Sequence, residues 1–293
     1  MTNITVVVPH FKSFSLLSRL LSTIPASYYV VVVDDYSDPK EFEIYKKNNE
    51  SEFIKLIKNS GPKGAGNCRN IGLKYVETEF VIFSDADDTF VSDSYFVLST
   101  ATLNTLDDII YFPPTSLGID GRTSGSRHKK YEMMVIEHLQ KSTYLSELRL
   151  RLTYNVPWSK VYRTSFLKGN NIQFDGTIVA NDGMFSARAG RFAKSISCFK
   201  KPFYCSILTN NSLTTTKNLD NYYIRLNVFC NYYDFLSEKE RSYLEVSPLP
   251  ILYTGLEYGL FNFFKFIYFF HKRGISIFKN FKFNKRKLRL LIK

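Results

Sequence analysis

The apolar positions of the first hundred residues come in two rhythms. "ITVVVP" (4–9) and "YVVVVDD" (29–35) are β-branched runs without polar alternation, the pattern of strands covered on both faces. Between them, "FSLLSRLLSTI" sets Leu16, Leu17, Leu20, Leu21 and Ile24 at helical spacing. The cycle repeats with "KEFEIYKKNNE" as helix, "FIKLIK" (53–58) as strand, "AGNCRNIGLKYV" as helix and "EFVIFSD" (79–85) as strand. "SYFVLSTATL" then reads as a helix, and "DIIYFPP" (108–114) as a strand stopped by two prolines. Such alternation predicts an α/β fold built on a doubly wound, mostly parallel sheet with right-handed crossovers.

Beyond residue 114 the rhythm loosens. Residues 115–130 are rich in Gly, Ser, Arg and Lys and read as a mobile loop. "EMMVIEHLQKSTYLSELRLRL" predicts helix, and the stretch from "PWSKVYR" to "GRFAKSI" mixes loop and helix. "SISCFKKPFYCSIL" predicts two further strands and "NLDNYYIRLNVFCNYYDFL" a long helix, so the sheet carries a helical C-terminal extension.

Composition changes this picture in three places. With 44% hydrophobic residues in 293, the chain can build an ordinary core. Cys68, Cys198, Cys205 and Cys230 show no Cys-x-x-Cys spacing, and "MTNITVVVPHF" lacks the basic and apolar regions of a signal peptide. Both point to free thiols in a reducing, cytoplasmic setting. The net charge of +12 is concentrated at one end, because residues 255–293 hold ten Lys or Arg and one acid, Glu257.

The candidate chemistry sits where strands end. Open parallel sheets bind ligands at the carboxyl ends of their strands, and those ends carry Pro9 to Phe11, Asp34 with Asp35, and Asp85, Asp87 and Asp88. Acids there also serve as turn formers and helix caps. "DADDT" (85–89) fits the Asp-x-Asp-x-Thr of a haloacid dehalogenase-type phosphatase, with Asp85 as nucleophile and Asp87 as acid/base. It equally fits the Asp-x-Asp with which a sugar-nucleotide transferase holds a cation against a diphosphate.

Six segments in order decide between them: "VVVPHFK", "VVVVDDYSD", "NSGPKGAGNCRNIG", "FSDADD", "PWSKVYR" and "ANDGMFS". In this series the chain resembles a family 2 glycosyltransferase with the GT-A fold. Lys12 stands where the family usually has Asn, and Asn181 where it usually has Glu. The resemblance implies a catalytic domain over 1–254, with a nucleotide-sugar half to about residue 112 and an acceptor half over 113–254. It places the base of a UDP-sugar near Pro9, Phe11 and Asp35, with Asp34 contacting donor or capping the following segment. Lys63 and Arg69 become cations at the diphosphate or uracil edge, although Arg69 also suits a surface helix position. Asp85 is implied at the ribose, Asp87 at a Mn²⁺ or Mg²⁺ ion, and Asp182 as the base of an inverting transfer or the cap of a helix. Trp158 and Asn181 fall at the acceptor side, Trp158 reading equally well as a core residue. The non-enzyme alternative is a carbohydrate-binding scaffold at a membrane.

"LFNFFKFIYFF" (260–270) is too short to span a bilayer and is interrupted by Lys265. With the basic run that follows, residues 255–293 read as a segment that associates with an anionic membrane surface rather than nucleic acid. The expected acceptor is a saccharide carried on undecaprenyl pyrophosphate at the cytoplasmic face of the inner membrane, in O-antigen, capsule or lipooligosaccharide synthesis.

Overall fold

The β-branched runs lie side by side at the centre of the computed structural model, which describes residues 3–118, 125–126, 128–208 and 218–277. β1 (Ile4–His10), α1 (Phe14–Thr23), β2 (Tyr29–Asp34), α2 (Pro39–Asn49), β3 (Ile54–Lys58), α3 (Ala65–Lys74) and β4 (Phe80–Phe83) alternate as the pattern requires. The four strands are parallel, with Val6 opposite Val30, Val7 opposite Phe83 and Val32 opposite Leu56. These residues are buried from both sides, which is why the runs lack polar alternation. The strand order β3-β2-β1-β4 reverses direction at β1, creating the switch point at which such sheets receive ligands.

The chain continues through β5 (Thr89–Phe90), α4 (Ser94–Thr102), β6 (Ile109–Tyr111), β7 (Thr115–Leu117), α5 (Lys129–Gln140) and α6 (Tyr144–Thr153). Then come β8 (Lys160–Arg163), α7 (Thr164–Gly169), α8 (Gly183–Phe192), β9 (Ile196–Cys198) and β10 (Tyr204–Ile207). The main sheet has seven strands in the order β3-β2-β1-β4-β8-β6-β9, and β8 runs antiparallel to both neighbours. β5, β10 and β7 form a second, three-stranded sheet.

Four features differ from the hydrophobic pattern. "KVYR", expected within mixed loop and helix, is β8; four residues carry too little periodicity to announce a strand, and pairing with β4 and β6 decides it. The helix expected around residues 132–152 is two, because Thr143 Oγ1 accepts the Ser146 N–H (3.1 Å) while Ser146 Oγ accepts the Thr143 N–H (3.0 Å), a capping box that starts α6 afresh. The two strands of "SISCFKKPFYCSIL" form but join different sheets. Residues 115–117 of the expected loop form β7, whereas 119–124 and 127 lie outside the described residues.

Residues 1–216 and 217–293 form separate compact units. The second holds α9 (Leu219–Phe235), α10 (Glu238–Tyr243), α11 (Leu249–Gly255), a 3₁₀ turn and α12 (Leu260–Lys272). The boundary thus falls upstream of the one read after residue 254, because Tyr222, Leu226 and Cys230 of α9 share a core with Leu252, Phe266 and Phe270. Among the described residues, no helix is long and apolar enough to cross a membrane. The basic run from residue 278 lies outside them.

Candidate active site

The site is assembled at the carboxyl ends of β1, β2 and β4. Pro9 is the partly buried penultimate residue of β1, and Phe11 projects beyond it, exposed. Register sets His10 opposite Asp34, and His10 Nδ1 lies 2.8 Å from Asp34 Oδ1. Ser37 donates from its backbone N–H to Asp34 Oδ2 (2.9 Å) and from its hydroxyl to Oδ1 (2.6 Å). Burial raises the Asp34 pKa, but the bonds from His10 and Ser37 outweigh it and hold the carboxyl below its ordinary value. Of the two roles open to Asp34, it takes the structural one.

Asp35 has a different surrounding. It accepts the Gly64 N–H at 3.0 and 3.1 Å and the Asn59 side-chain amide at 2.8 Å. Gly64, at φ 138°, has a backbone that L side chains rarely adopt. Lys63 beside it holds its ammonium 4.0 Å from the Phe11 ring centroid, so the cation and the aromatic meet next to Asp35. Lys12 sits at φ 60°, a left-handed conformation that Asn adopts more readily than Lys.

Beyond β4, ligand oxygens of Asp85, Asp87 and Asp88 lie within 4.8 Å of one another, yet the three are not equivalent. Asp88 is fully buried and accepts the Tyr204 hydroxyl (2.6 Å) and the Ile207 N–H (2.7 Å). Burial, then the charges of Asp85 and Asp87, push its carboxyl well above the usual range. It therefore anchors the turn to β10. Asp85 and Asp87 are only partly buried; Arg19 of α1 steadies the turn by donating to the Asp87 carbonyl at 2.5 Å. Two partly accessible carboxylates at one turn are a hard-oxygen donor set of the kind Mn²⁺ and Mg²⁺ take.

Arg69 joins this turn to the opposite side of the site. It is buried, donating from Nη2 to Asp85 Oδ1 at 2.5 Å and from Nη1 to Asn181 Oδ1 at 3.0 Å, with its guanidinium over Phe174. It is therefore not a surface helix residue. Its helix can approach because of Gly66, where a Cβ would fall 2.4 Å from the Asp175 carbonyl. Asn70 completes the clamp by exchanging hydrogen bonds with both backbone groups of Phe174 (2.8 and 2.9 Å).

Asp182 stands at the N-terminus of α8, but its side chain accepts no capping bond there, so the capping alternative is not the one adopted. Lys160, 1% exposed, feels its charge: burial draws the ammonium well below the usual lysine range, and the Asp182 charge opposes that shift. Lys160 Nζ donates to the Tyr154 carbonyl (2.7 Å) inside a cage of Tyr154, Tyr111 and Tyr162 rings.

Both residues expected on the acceptor side are buried. Trp158 is 1% exposed and stacks on Tyr204 at 5.5 Å, with Tyr131 edge-on; an indole sealed between rings offers no face to a sugar. Asn181 is also buried and holds Arg69. The sequence reading missed His10, Arg19, Lys160 and Tyr204. Arg19 could have been flagged as the lone cation of α1 and Lys160 by its place in "PWSKVYR", whereas nothing in "PFYCSIL" marks the Tyr204 hydroxyl as the partner of Asp88.

A doubly wound sheet with this carboxylate turn after its fourth strand defines the GT-A class of nucleotide-sugar-dependent transferases. The chain belongs to glycosyl transferase family 2, whose model matches residues 5–169. It is 28% identical over 214 residues to poly(ribitol-phosphate) beta-N-acetylglucosaminyltransferase TarS of Staphylococcus aureus (strain MW2), covering 70% of this chain and 35% of that one. It is 28% identical over 95 residues to UDP-Glc:alpha-D-GlcNAc-diphosphoundecaprenol beta-1,3-glucosyltransferase WfgD of Escherichia coli, covering 31% of this chain and 37% of that one. The aligned stretches span little more than a third of either relative. The crystal structure of S. aureus TarS 1–349 in complex with UDP-GlcNAc superimposes with a TM-score of 0.59 at 23% identity, over 78% of this chain and 66% of that one. The phosphatase reading of "DADDT" falls with this: Asp85 is paired with Arg69, and Thr89 is a ladder residue of β5 opposite Cys205.

Proposed function

We propose that this protein is an inverting, metal-dependent glycosyltransferase that moves a hexose or N-acetylhexosamine from a UDP-sugar to a saccharide acceptor. The observation that carries this reading is the Arg69 bridge, one buried guanidinium bonded both to Asp85 at the end of β4 and to Asn181 beside Asp182. It ties the turn proposed to receive the donor to the residue next to Asp182, the proposed base. Asp35 retains acceptor capacity for a uracil N–H beside Phe11 and Lys63. Asp85 is the ribose partner, while Arg69 and Lys63 supply positive charge where the leaving diphosphate develops negative charge.

A Mn²⁺ or Mg²⁺ ion would be held by Asp87 and would supply neutralisation of the two phosphates. Asp182 removes the proton from the acceptor hydroxyl as that oxygen attacks the anomeric carbon from the face opposite the diphosphate. One displacement inverts the configuration, giving a β-linked product from an α-linked donor. WfgD, by its name, acts on a diphosphoundecaprenol-linked saccharide; we take the acceptor here to be of that lipid-linked class. On this reading the reaction runs at the cytoplasmic face of a membrane, in the building of O-antigen, capsule or lipooligosaccharide chains.

The test is UDP release from a panel of UDP-sugars with Mn²⁺ or Mg²⁺, with and without undecaprenyl-pyrophosphate-linked acceptors. Asp182→Asn should reduce transfer by about 10²-fold or more while leaving UDP affinity intact, and Asp87→Asn should lose both transfer and the metal dependence of UDP binding. Full transfer activity in Asp182→Asn would show that the base lies elsewhere.

A further inference from the structure

α12 carries apolar residues on two faces. Phe266 and Phe270 are fully buried and pack with Tyr222, Leu226 and Leu252 in the core of the helical unit. The opposite face repeats at helical spacing through Leu260, Phe264 and Tyr268, with Phe261 alongside, and these four are 64–74% exposed. One apolar stripe accounts for the packing of a surface helix. A second stripe of large exposed side chains needs another partner, because contiguous apolar surface in water marks an interaction site.

Charge selects the partner. Lys265 and Lys272 border the exposed stripe, and Lys265 places its ammonium 4.3 Å from the centroid of Phe261. The sequence beyond residue 277 adds seven Lys or Arg and no acid. A second copy of this chain would bring the same positive field and be repelled. An anionic bilayer surface offers what this face lacks: an apolar boundary at the depth of four side chains, phosphate groups at the height of the flanking lysines, and a water-rich zone for the Tyr268 hydroxyl.

We infer that the Leu260–Phe261–Phe264–Tyr268 face of α12 is a docking surface for an anionic lipid bilayer, with Lys265 and Lys272 on the headgroups. It lies flat on the bilayer and does not cross it. The inference builds on the lipid-linked acceptor proposed above. Vesicle binding needs neither donor nor acceptor, so protein that transfers sugar to soluble acceptors yet ignores vesicles would sink the docking and spare the chemistry.

The experiment floats the full chain with vesicles of phosphatidylcholine alone or mixed with phosphatidylglycerol, at low and high salt. Wild type should bind the anionic vesicles and be released by salt. The double substitution Phe261→Ser, Phe264→Ser and the double substitution Lys265→Glu, Lys272→Glu should each lower vesicle partition by about tenfold or more. Phe96→Ser, an equally exposed aromatic on α4, should leave it unchanged. A single Phe264→Trp substitution provides a readout at the exposed face, because the one native tryptophan is buried. Its emission should shift to the blue with anionic vesicles and be quenched by brominated lipid. Equal vesicle binding by wild type and both double variants, an unquenched indole at 264, or self-association abolished by Phe261→Ser, Phe264→Ser in the absence of vesicle binding would each overturn the inference.

Discussion

At the end of β2 the chain presents two carboxylates in succession, and strand geometry gives them opposite tasks. Asp34 is the last strand residue, opposite His10, and is consumed by His10 and Ser37; Asp35, one position on, faces Gly64 and Asn59. Asp34→Ala should destabilise the protein by about 1–3 kcal/mol in urea titration, because it strands buried donors. The pH dependence has a definite sign. The folded-state pKa of Asp34 lies below its unfolded value, so its contribution is complete above the unfolded carboxylate range and fades as pH falls through the folded pKa. The acid limb of the stability curve should therefore be flatter in Asp34→Asn than in wild type. From the sequence, "DD" is a legible site; which carboxylate faces inward depends on the register with β1.

Helix-on-helix approach sets the elements around Asp182. A Cβ on Gly190 would lie 1.8 Å from the Arg151 carbonyl, so α8 crosses α6 with backbones nearly touching, and Arg151 locks the crossing by donating to the carbonyls of Gly190 (2.9 Å) and Ala193 (2.7 Å). Gly190→Ala should cost about 1–3 kcal/mol through overpacking, read as a lower melting temperature. Gly183, in the same helix, has nothing within 4 Å of an added Cβ; Gly183→Ala should be neutral or slightly stabilising because alanine favours helix. A gain in both variants would mean that helix propensity, and not the α6–α8 contact, governs position 190. At this scale the sheet's first four strands were legible because each is a long buried run. β8 and the break between α5 and α6 were not, since one depends on neighbouring strands and the other on a single hydroxyl pair.

Across the whole molecule, every residue assigned to donor, metal or base lies within residues 1–216, whereas the aromatic core of Tyr222, Phe266 and Phe270 belongs to residues 217–293. Phe266→Ala removes a fully buried ring from that second core and should destabilise the helical unit by about 3–5 kcal/mol. Limited proteolysis should then cut within residues 218–277 while calorimetric UDP affinity stays at the wild-type value. A parallel fall in UDP affinity would show that the nucleotide site depends on the helical unit.

The sequence by itself determined the alternating fold, the three acidic or aromatic strand ends and their order, because buried parallel strands and motif spacings are local properties that a linear pattern records. It also located the basic, aromatic end of the chain. Only the tertiary structure decided which groups are available for chemistry. Arg69 meets Asn181 from 112 positions away and Tyr204 meets Asp88 from 116, so long-range contacts make Arg69 a bridge and Asp88 an anchor. Trp158 is closed off by Tyr131 and Tyr204, and the faces of α12 are told apart by what α9 covers. Burial and pairing are set by which distant segments pack together, and that information is absent from any one segment.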